Sequence, residues 1–499
     1  MLNKLNKVFL VFFLLGLSLN LVAQEVQISK TERTLKRLNS HVFGENEEGF
    51  FVLKTNAPIN YNPFGFITNE NKPKILFYDN GMKLKWEKEI QLPTSNSQVV
   101  NIFVSQNLIR LFYTSPDNEK ENTLLLLKIL NTSNGEAAGE TKVLDKIPYD
   151  KRKIRSFYRI NHDRDQKKIV ALGFVANEKS GEYSVKVNWF TQSLEPFASQ
   201  RYNLAVGDGE ELVLTDFEVD KDNNVYFLSR KFPENKRRLD FGKYVGYFCT
   251  PISNDLISFE FNEPNFQIEE LVFGIDNINN RLVVSGFFTE TKDYPGSGVF
   301  YAYFDPGAQS LSNKTFKKFS AKFLNDFSDI NRMNAGRNLI NYKVKSLIVR
   351  GDGGAVLIAE SSFISESSTF NIYSQMYSTS YTYHNNNVIV FSISPNGKID
   401  WEQVVRKRQI SENDGGIYNS FSPFLYKDRL VFLYNEAIKR KADVQMAAIN
   451  FKGLFSEEPV IPAKKDLVIM PAGARQISSA EIVIPCLYKS QPGYVKITF

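Results

Sequence analysis

Short apolar segments alternate with polar turns along almost the whole chain. The apolar segments are rich in Val, Ile, Tyr and Phe, with 23 Tyr and 41 Phe in total. These residues favour the pleated, half-buried surface of a β-sheet, and turns of Gly, Asn and Asp separate them as in consecutive antiparallel strands. Helical spacing is scarce by comparison. The pattern therefore predicts an all-β protein.

One type of strand recurs behind a turn that carries Gly, Asn or Asp. Two of its copies read GDGGAVLIAES and DKDNNVYFLSRK. Gly, Asn and Asp tolerate positive φ or cap their own backbone, as a tight hairpin requires. The loosely regular spacing of the copies predicts a repeat architecture. The eight copies centre on Phe51, Ile109, Val170, Val225, Val283, Val356, Val431 and Val483.

A second recurrent element is a strand, a turn and a strand. Its two best copies are ILFYDNGMKLKWEKEIQL and VIVFSISPNGKIDWEQVV. An Asn-Gly pair favours a tight hairpin turn, and a tryptophan follows it within a few residues in both copies. These residues are predicted to do structural work in the repeat; they are Asn80, Gly81 and Trp86 in the first copy and Asn396, Gly397 and Trp401 in the second.

A small sheet of three or four strands buries both of its faces only when it packs between neighbours, and a ring of such sheets is a β-propeller. We therefore predict a single propeller of about eight blades (seven to eight) over residues 24–499. The last repeat is one strand short. The N-terminal stretch EVQISKTERTLKR is predicted to supply its outer strand and so to close the ring.

Two insertions widen the spacing of the repeats, near residues 310–335 and near 362–387. The first places Phe316, Phe319, Phe323 and Phe327 at helical spacing and predicts one short amphipathic helix. Such a helix could cover a neighbouring sheet or dock on a membrane surface. The second insertion is rich in Ser, Thr, Tyr and Asn, which is typical of an elongated hairpin or a surface loop.

Residues Met1 to Ala23 resemble an export signal, because a short basic region precedes an apolar segment that is too short to favour a membrane anchor. The alternative is an uncleaved N-terminal anchor. No later apolar segment is long enough to span a bilayer as a helix. We expect an exported protein in the periplasm, on the outer surface or outside the cell, with no transmembrane span after cleavage.

The charge balance and the cysteines exclude several classes of protein. Lys and Arg number 61 and Asp and Glu 55, so the chain is nearly balanced and nucleic acid is not an expected partner. Cys249 and Cys486 lack the spacing of a metal or redox site. They could form one disulfide if the fold brought them together, but their apolar flanks favour separate burial.

The chain offers no catalytic motif and one weak metal motif. His41, His162 and His384 lie in different repeats without metal-ligand spacing, so no catalytic residue and no resident cofactor are assigned. Oxygen ligands alternate at Asp220, Asp222 and Asn224, as at the start of a calcium loop, although Asp and Asn are also ordinary hairpin-turn residues. Calcium is therefore a hypothesis with a structural alternative.

The most distinctive surface candidate is an aromatic cluster in the second insertion. Its members are Tyr373, Tyr377, Tyr381, Tyr383 and His384. Exposed tyrosines give large amphipathic contact area at a small cost in side-chain entropy, which suits the recognition of a peptide or glycan. The alternating Tyr381 and Tyr383 could equally form one face of a strand that packs within its own blade.

The SPNGKIDW hairpin resembles the blade motif of propellers similar to the pyrroloquinoline-quinone (PQQ) dehydrogenases and their non-catalytic relatives. That resemblance covers two of the eight units and implies the fold rather than the activity. The quinone enzymes use adjacent cysteines, and Cys249 and Cys486 are not adjacent. The full chain also resembles uncharacterised secreted propeller-like proteins of Gram-negative bacteria, which share the DGGxVLIAE and NGxxxW patterns and imply no particular function.

These observations favour a non-enzymatic binding or scaffold propeller that recognises an envelope or extracellular protein, peptide or glycan through loops on one face. One alternative is a glycan-processing hydrolase or lyase with its site in the central channel. Another is a structural subunit of an envelope assembly. Histidines or carboxylates converging at the channel would favour the enzyme, and an exposed aromatic patch at Tyr377 to His384 would favour binding.

Overall fold

A computed structural model describes most of the chain after the predicted signal segment. The described residues are 25–32, 39–62, 65–150, 152–163, 168–177, 179–233, 242–261, 263–290, 296–328, 341–371, 376–438 and 441–499. The predicted export signal, 1–23, lies outside them. Within these ranges, no helix has the length and apolar character needed to cross a membrane.

The first half of the described chain forms antiparallel sheets, numbered here in chain order, after the N-terminal strand β1 (Glu25–Ile28). In sheets 1 to 4, consecutive strands along the chain are neighbours in the sheet. Sheet 1 contains β2 (Asn39–Asn46), β3 (Gly49–Thr55), β6 (Lys74–Asp79) and β7 (Leu84–Glu89), with a small hairpin of β4 (Asn60–Asn62) and β5 (Gly65–Ile67) inserted after β3. Sheet 2 contains β8 (Gln98–Ser105), β9 (Leu108–Asp117), β10 (Asn122–Asn131) and β11 (Lys142–Pro148). Sheet 3 contains β12 (Ile154–His162), β13 (Lys168–Asn177), β14 (Glu182–Thr191) and β15 (Pro196–Leu204), and sheet 4 contains β16 (Glu210–Val219), β17 (Val225–Pro233), β18 (Lys243–Cys249) and β19 (Ile257–Glu260).

The second half repeats this arrangement with one helix and one additional strand. Sheet 5 contains β20 (Gln267–Asp276), β21 (Arg281–Thr289), β22 (Gly298–Asp305) and β23 (Ser310–Lys318), and the helix α1 (Ala321–Ser328) follows it. Sheet 6 contains β24 (Tyr342–Val349), β25 (Ala355–Asn371), β26 (Met376–Ile393) and β27 (Ile399–Val405), with β28 (Gln409–Glu412) paired to β26. Sheet 7 contains β29 (Ser422–Tyr426), β30 (Arg429–Asn435), β31 (Val444–Asn450) and β32 (Phe455–Ile461). Sheet 8 contains β33 (Leu467–Ile469), β34 (Arg475–Gln476), β35 (Glu481–Tyr488), β36 (Gln491–Thr498) and β1, and short 3₁₀ turns cover Ala463–Lys465 and Pro471–Gly473.

The predicted repeat coincides with these sheets. Each of the eight repeat centres lies in the strand that follows the first hairpin turn of its sheet, from Phe51 on β3 to Val483 on β35. Both of these side chains are fully buried. A strand between two others carries apolar residues on both faces, which is why its signal stood out in the sequence. The all-β class and the repeated sheets are confirmed.

Apolar clusters join each sheet to its neighbours. One cluster joins sheets 3 and 4 around the fully buried Trp189 and Phe217. Equivalent clusters join sheets 1 and 2, 2 and 3, 4 and 5, 5 and 6, 6 and 7, and 7 and 8. A further cluster joins the last sheet back to the first through Tyr494 and Phe50. Burial of each such side chain contributes about 1.5–3 kcal/mol, so these contacts dominate the stability of the fold.

The N-terminal strand pairs with the C-terminal strand. β1 runs antiparallel to β36, with Glu25 opposite Thr498 and Ile28 opposite Val495. Ser29 Oγ continues the contact by accepting a hydrogen bond from the backbone N–H of Tyr494 at 3.0 Å. The sequence assigned this stretch to the last sheet, and the observed pairing agrees with that assignment.

The helix is shorter than its phenylalanine spacing predicted. Phe316 lies on β23 and pairs with Phe300 of β22, so its assignment to the helix was wrong. Ser310–Lys318 pairs with β22 along its length, and this strand pairing prevails over the helical spacing. Phe319 precedes the helix, and Phe323 on α1 packs against Phe391 of sheet 6 with ring centroids 5.2 Å apart. The helix covers a neighbouring sheet, which is one of the two roles that the sequence predicted for it.

The long connections leave the sheets on one side, which we call the insertion face. They follow the second or the fourth strand of a sheet and comprise the β4–β5 hairpin, the α1 segment, the extended β25–β26 hairpin and the β28 segment. Turns after first strands meet at the opposite side, where the Lys221 ammonium donates to the Asn277 carbonyl at 2.9 Å and the Arg281 guanidinium donates to the Gly353 carbonyl at 3.2 Å. The fold thus places these four inserted segments on a single face.

Candidate functional site

The β25–β26 hairpin extends far beyond the rest of sheet 6. Pairing with β24 ends at Ser361 and pairing with β27 ends at Val388, whereas β25 and β26 remain paired to Asn371 and Met376. The short strand β28 supports the hairpin as far as Thr382. Beyond that point the hairpin consists of two strands, so both of its faces are accessible to solvent.

Three of the predicted tyrosines share one face of this hairpin. Tyr377, Tyr381 and Tyr383 are an even number of residues apart on β26, and side chains alternate between the faces of a strand. Ile364 pairs directly with Tyr383 and lies on the same face. Tyr377 is 76% exposed, Ile364 61% and Tyr381 43%. We call these four residues the tyrosine face.

Tyr383 has a structural role at the base of the tyrosine face. Its ring lies against Gly416, where an added Cβ would be 3.2 Å from the ring and where the backbone has a φ of +69°. The Asn419 side-chain amide donates to the Tyr383 carbonyl at 3.1 Å, and the Tyr381 N–H donates to Asn413 Oδ1 at 2.9 Å. The segment after β28 therefore fixes the direction of the hairpin.

The other predicted members of the aromatic cluster are elsewhere. His384 points to the opposite face of β26, where its ring stacks on Phe363 with centroids 4.3 Å apart. Its Nε2 lies 3.1 Å from Ser365 Oγ. Tyr373 lies outside the described residues. The cluster predicted from the sequence is thus divided between two faces of one hairpin.

A buried ion pair anchors the hairpin to the sheet. Lys407 Nζ lies 2.6 Å from Glu360 Oε1, and both side chains are fully buried. The other carboxylate oxygen, Oε2, accepts hydrogen bonds from Asn385 and Ser420 at 2.8 Å and lies 3.0 Å from Lys345 Nζ. Burial alone would raise the pKa of Glu360, but Lys407 and Lys345 outweigh it and lower that pKa, so the carboxylate is charged.

The candidate calcium residues form a hairpin turn between β16 and β17. Asp220 Oδ1 accepts hydrogen bonds from the N–H groups of Asp222 and Asn224, both at 2.9 Å. Its Oδ2 accepts from the Asn224 side chain at 2.8 Å and from the Tyr226 hydroxyl at 3.1 Å. Across the ranges that the structure describes, no three His, Cys, Asp or Glu residues form a metal-binding group. The turn accounts for these residue types, and calcium stays a prediction.

The tryptophans that follow the two Asn-Gly turns join neighbouring sheets. Trp86 Nε1 donates to the Thr132 carbonyl in the β10–β11 turn at 3.0 Å. Trp401 Nε1 donates in the same way to the Phe451 carbonyl in the β31–β32 turn at 3.0 Å. A glycine with positive φ in each of these receiving turns packs against the indole: Gly135 in the β10–β11 turn contacts Trp86, and Gly453 in the β31–β32 turn contacts Trp401. We call each of these contacts between an indole and a neighbouring turn an indole latch.

Both cysteines are free and buried. Burial raises the pKa of the Cys249 thiol to about 12, so neither its environment nor its protonation state suits a nucleophile. The preference for separate burial over a disulfide is confirmed.

A second group of candidate side chains, all titratable, lies where the first strands of the sheets meet. The first strands of sheets 1 to 6 contact one another in order, and β2 also contacts β34 and β35 of sheet 8. His41 on β2 has its Nδ1 3.5 Å from the Tyr61 hydroxyl of the inserted hairpin. Burial and the nearby Arg475 lower the pKa of His41 to about 3, so its imidazole is neutral at physiological pH.

Two further titratable groups face this region from neighbouring first strands. Burial and Arg475 also lower the pKa of His162 on β12, although its contacts with Asp163 oppose the shift. Burial and the nearby Asp216 raise the pKa of Glu218 on β16 to about 8. The sequence did not single out this group, because its members come from different repeats. The contacts between the first strands of consecutive sheets bring these residues towards one region.

The comparisons with known proteins give no family. No protein-family model matches the chain, and no curated protein is similar to it in sequence. Among solved structures, the polysaccharide lyase Uly1 has a TM-score of 0.37 at 10% identity and covers 80% of this chain and 89% of its own. The β-propeller domain of the Trilobed protease from Pyrococcus furiosus has a TM-score of 0.34 at 9% identity and covers 89% and 98%. A variant of the Synechocystis apocarotenoid oxygenase has a TM-score of 0.38 at 7% identity and covers 96% and 94%. These scores are too low to carry an argument about this chain.

Proposed function

We propose that the eight sheets form one closed β-propeller of eight blades, with β1 as the outer strand of the last blade. The proposal is supported by the apolar clusters between consecutive sheets and by the further cluster between sheets 8 and 1. The pairing of β1 with β36 supports the same closure. A closed ring is a rigid base for loops on one face, which is the arrangement that binding proteins use.

The protein is a binding or scaffold propeller whose tyrosine face contacts a protein, peptide or glycan of the cell envelope or the extracellular space. One observation carries this proposal: the hairpin projects from the insertion face and leaves Tyr377 and Tyr381 solvent-exposed. Folding alone does not require two large aromatic side chains to project into water on a two-stranded extension. Tyrosines in such a position supply contact area and hydroxyl groups for a partner. The N-terminal export signal would deliver the protein to that compartment.

The test replaces Tyr377 and Tyr381 with Ser and uses the mature protein to capture partners from a cell-envelope extract. We expect the double variant to lose most of the captured partner at an unchanged thermal midpoint, because both side chains contribute little to the core. Val143→Ser is the matched control, since Val143 is 59% exposed on an outer strand away from the hairpin. Equal capture by the double variant and the wild type would contradict the proposal.

A glycan-processing hydrolase or lyase is the second candidate, and the His41–Tyr61 contact favours it. A neutral imidazole 3.5 Å from a phenol is a combination that can exchange a proton. The nearby Arg475 pairs with Glu45 through Nε at 2.6 Å, and its other N–H groups could hold an anionic sugar. A cavity of about 170 Å³ lined by Ser40 and Tyr61 opens beside it. Turnover of an acidic polysaccharide that disappears in Tyr61→Phe and persists in Tyr377→Ser would establish this candidate over the binding protein.

A further inference from the structure

A cleft runs along the outer edge of β27, the last strand of sheet 6. Its widest part has a volume of about 670 Å³ and lies between β27, the helix α1 and the β31–β32 turn. A cleft of about 330 Å³ continues it to Lys398, and another of about 430 Å³ continues it to Arg408. The three together follow the whole strand, and we call them the β27 cleft. The β27 cleft is separate from the tyrosine face, which belongs to the free end of the hairpin.

The floor of the β27 cleft is the edge of a sheet. β27 pairs with β26 on one side, and none of the described strands pairs with its other side. An edge strand presents a row of backbone N–H and C=O groups that can pair with an extended chain. Addition of a peptide strand to such an edge gives affinity through main-chain hydrogen bonds, and side pockets give specificity.

The charges around the β27 cleft favour an acidic occupant. Four exposed lysines line it and form no ion pair with any carboxylate in the described part of the chain. Of the carboxylates in its lining, Asp400 lies 2.6 Å from Arg350, and Glu402 and Glu457 accept hydrogen bonds from Ser320 and Tyr434. With Glu436 and Glu458 they make five carboxylates against eight Lys and Arg side chains, so the lining of the cleft carries a net positive charge. The lysines are Lys317, Lys322, Lys398 and Lys452.

Apolar side chains complete the walls of the β27 cleft. Trp401 is held by its hydrogen bond to the Phe451 carbonyl and lies in the cleft beside Phe455, which is 38% exposed. Phe323 of α1 contributes to the opposite wall. In an added strand, alternate side chains point to opposite faces. One set would meet these apolar walls, and acidic side chains would meet the lysines.

We propose that sheet 6 binds an extended acidic peptide segment of a partner protein as an additional strand along β27. The tyrosine face and the β27 cleft would then be two independent contact surfaces on one molecule. Main-chain pairing would order the segment along the edge, and the four lysines would select for negative charge.

The experiment uses the mature protein and a fluorescein-labelled peptide of sequence EVETEVET, with KVKTKVKT as the matched probe. Fluorescence anisotropy should detect binding of the acidic peptide and no binding of the basic one. Hydrogen exchange should slow over residues 398–406 when the acidic peptide is added, because strand addition protects the edge amides. Lys322→Glu, Lys398→Glu and Lys452→Glu combined should weaken binding at least tenfold.

The control variant combines Lys83→Glu, Lys85→Glu and Lys142→Glu, which reverse three exposed lysines on sheets 1 and 2 and give the same net charge. Equal weakening by both triple variants would mean non-specific charge attraction and would overturn the proposal. Binding without slower exchange over residues 398–406 would also overturn it. So would tighter binding of polygalacturonate than of the peptide, because that outcome assigns the cleft to an acidic glycan. If the triple variant has a lower thermal midpoint than the wild type, binding of the acidic peptide is compared between the wild type and Lys398→Glu alone.

Discussion

At the scale of single residues, the base of the hairpin depends on one buried ion pair. Removing one partner leaves an uncompensated buried charge, which typically costs about 3–5 kcal/mol. We therefore expect Glu360→Gln, which leaves Lys407 without a counter-charge, to lower the free energy of unfolding in urea by about 3 kcal/mol. Lys407→Met should cost less, because Lys345 remains 3.0 Å from the Glu360 carboxylate. The double variant should recover most of the loss, because it buries no charge of this pair. A double variant that loses the sum of the two single effects would contradict this account.

The ion pair also shows what the sequence could not reveal at the residue scale. Glu360 and Lys407 are ordinary charged residues in the sequence, and nothing in their spacing predicts complete burial. They become a pair because β25 and the segment after β27 converge beside Ser420. His41 and His162 were set aside for the same reason. Contacts between repeats depend on the arrangement of whole sheets, which local patterns do not encode.

At the scale of elements, the second strands of the sheets were predictable and the helix was only partly so. The second strands are buried on both faces and follow tight turns, so their apolar runs are unambiguous in the sequence. Phe316, Phe319 and Phe323 have spacings that fit both a helix and a strand followed by a helix. Phe316 belongs to a strand because it pairs with Phe300 of β22. The local sequence around Phe316 does not contain that pairing partner. The extended part of the β25–β26 hairpin was recognised in the sequence as an insertion, because its content of Ser, Thr, Tyr and Asn differs from that of the repeated strands.

The indole latch gives a prediction at the scale of elements. Gly135 has a φ of +71°, and an added Cβ would lie 2.7 Å from Cζ3 of Trp86. Gly181 has nearly the same φ of +68° with nothing within 4 Å of the added Cβ. Both alanine variants should lose about 1–2 kcal/mol for the left-handed backbone. Gly135→Ala should lose about 1–3 kcal/mol more through overpacking. Equal free energies of unfolding in urea for the two variants would contradict the latch.

At the scale of the whole molecule, the proposed closure of the ring predicts that a cross-link between the two ends of the described chain is stabilising. Glu25 and Thr498 are directly opposite each other in the β1–β36 pair, and paired residues on antiparallel strands have Cα atoms about 4.5–5.5 Å apart. A disulfide between Glu25→Cys and Thr498→Cys would close a very long loop, so its stabilisation should reach about 4 kcal/mol. The oxidised double variant should melt at a higher temperature than its reduced form and than either single variant. An unchanged or lower midpoint would contradict closure through β1.

We propose that the free end of the β25–β26 hairpin binds a partner while the sheets provide the fold. The most direct measurement replaces residues 366–381 with a two-residue Asn-Gly turn, which removes the free end of the hairpin and keeps sheet 6, and compares capture from a cell-envelope extract with the thermal midpoint. We expect the shortened protein to melt within a few degrees of the wild type and to capture no partner. A shortened protein that still captures the same partner, or one that no longer folds, would contradict it.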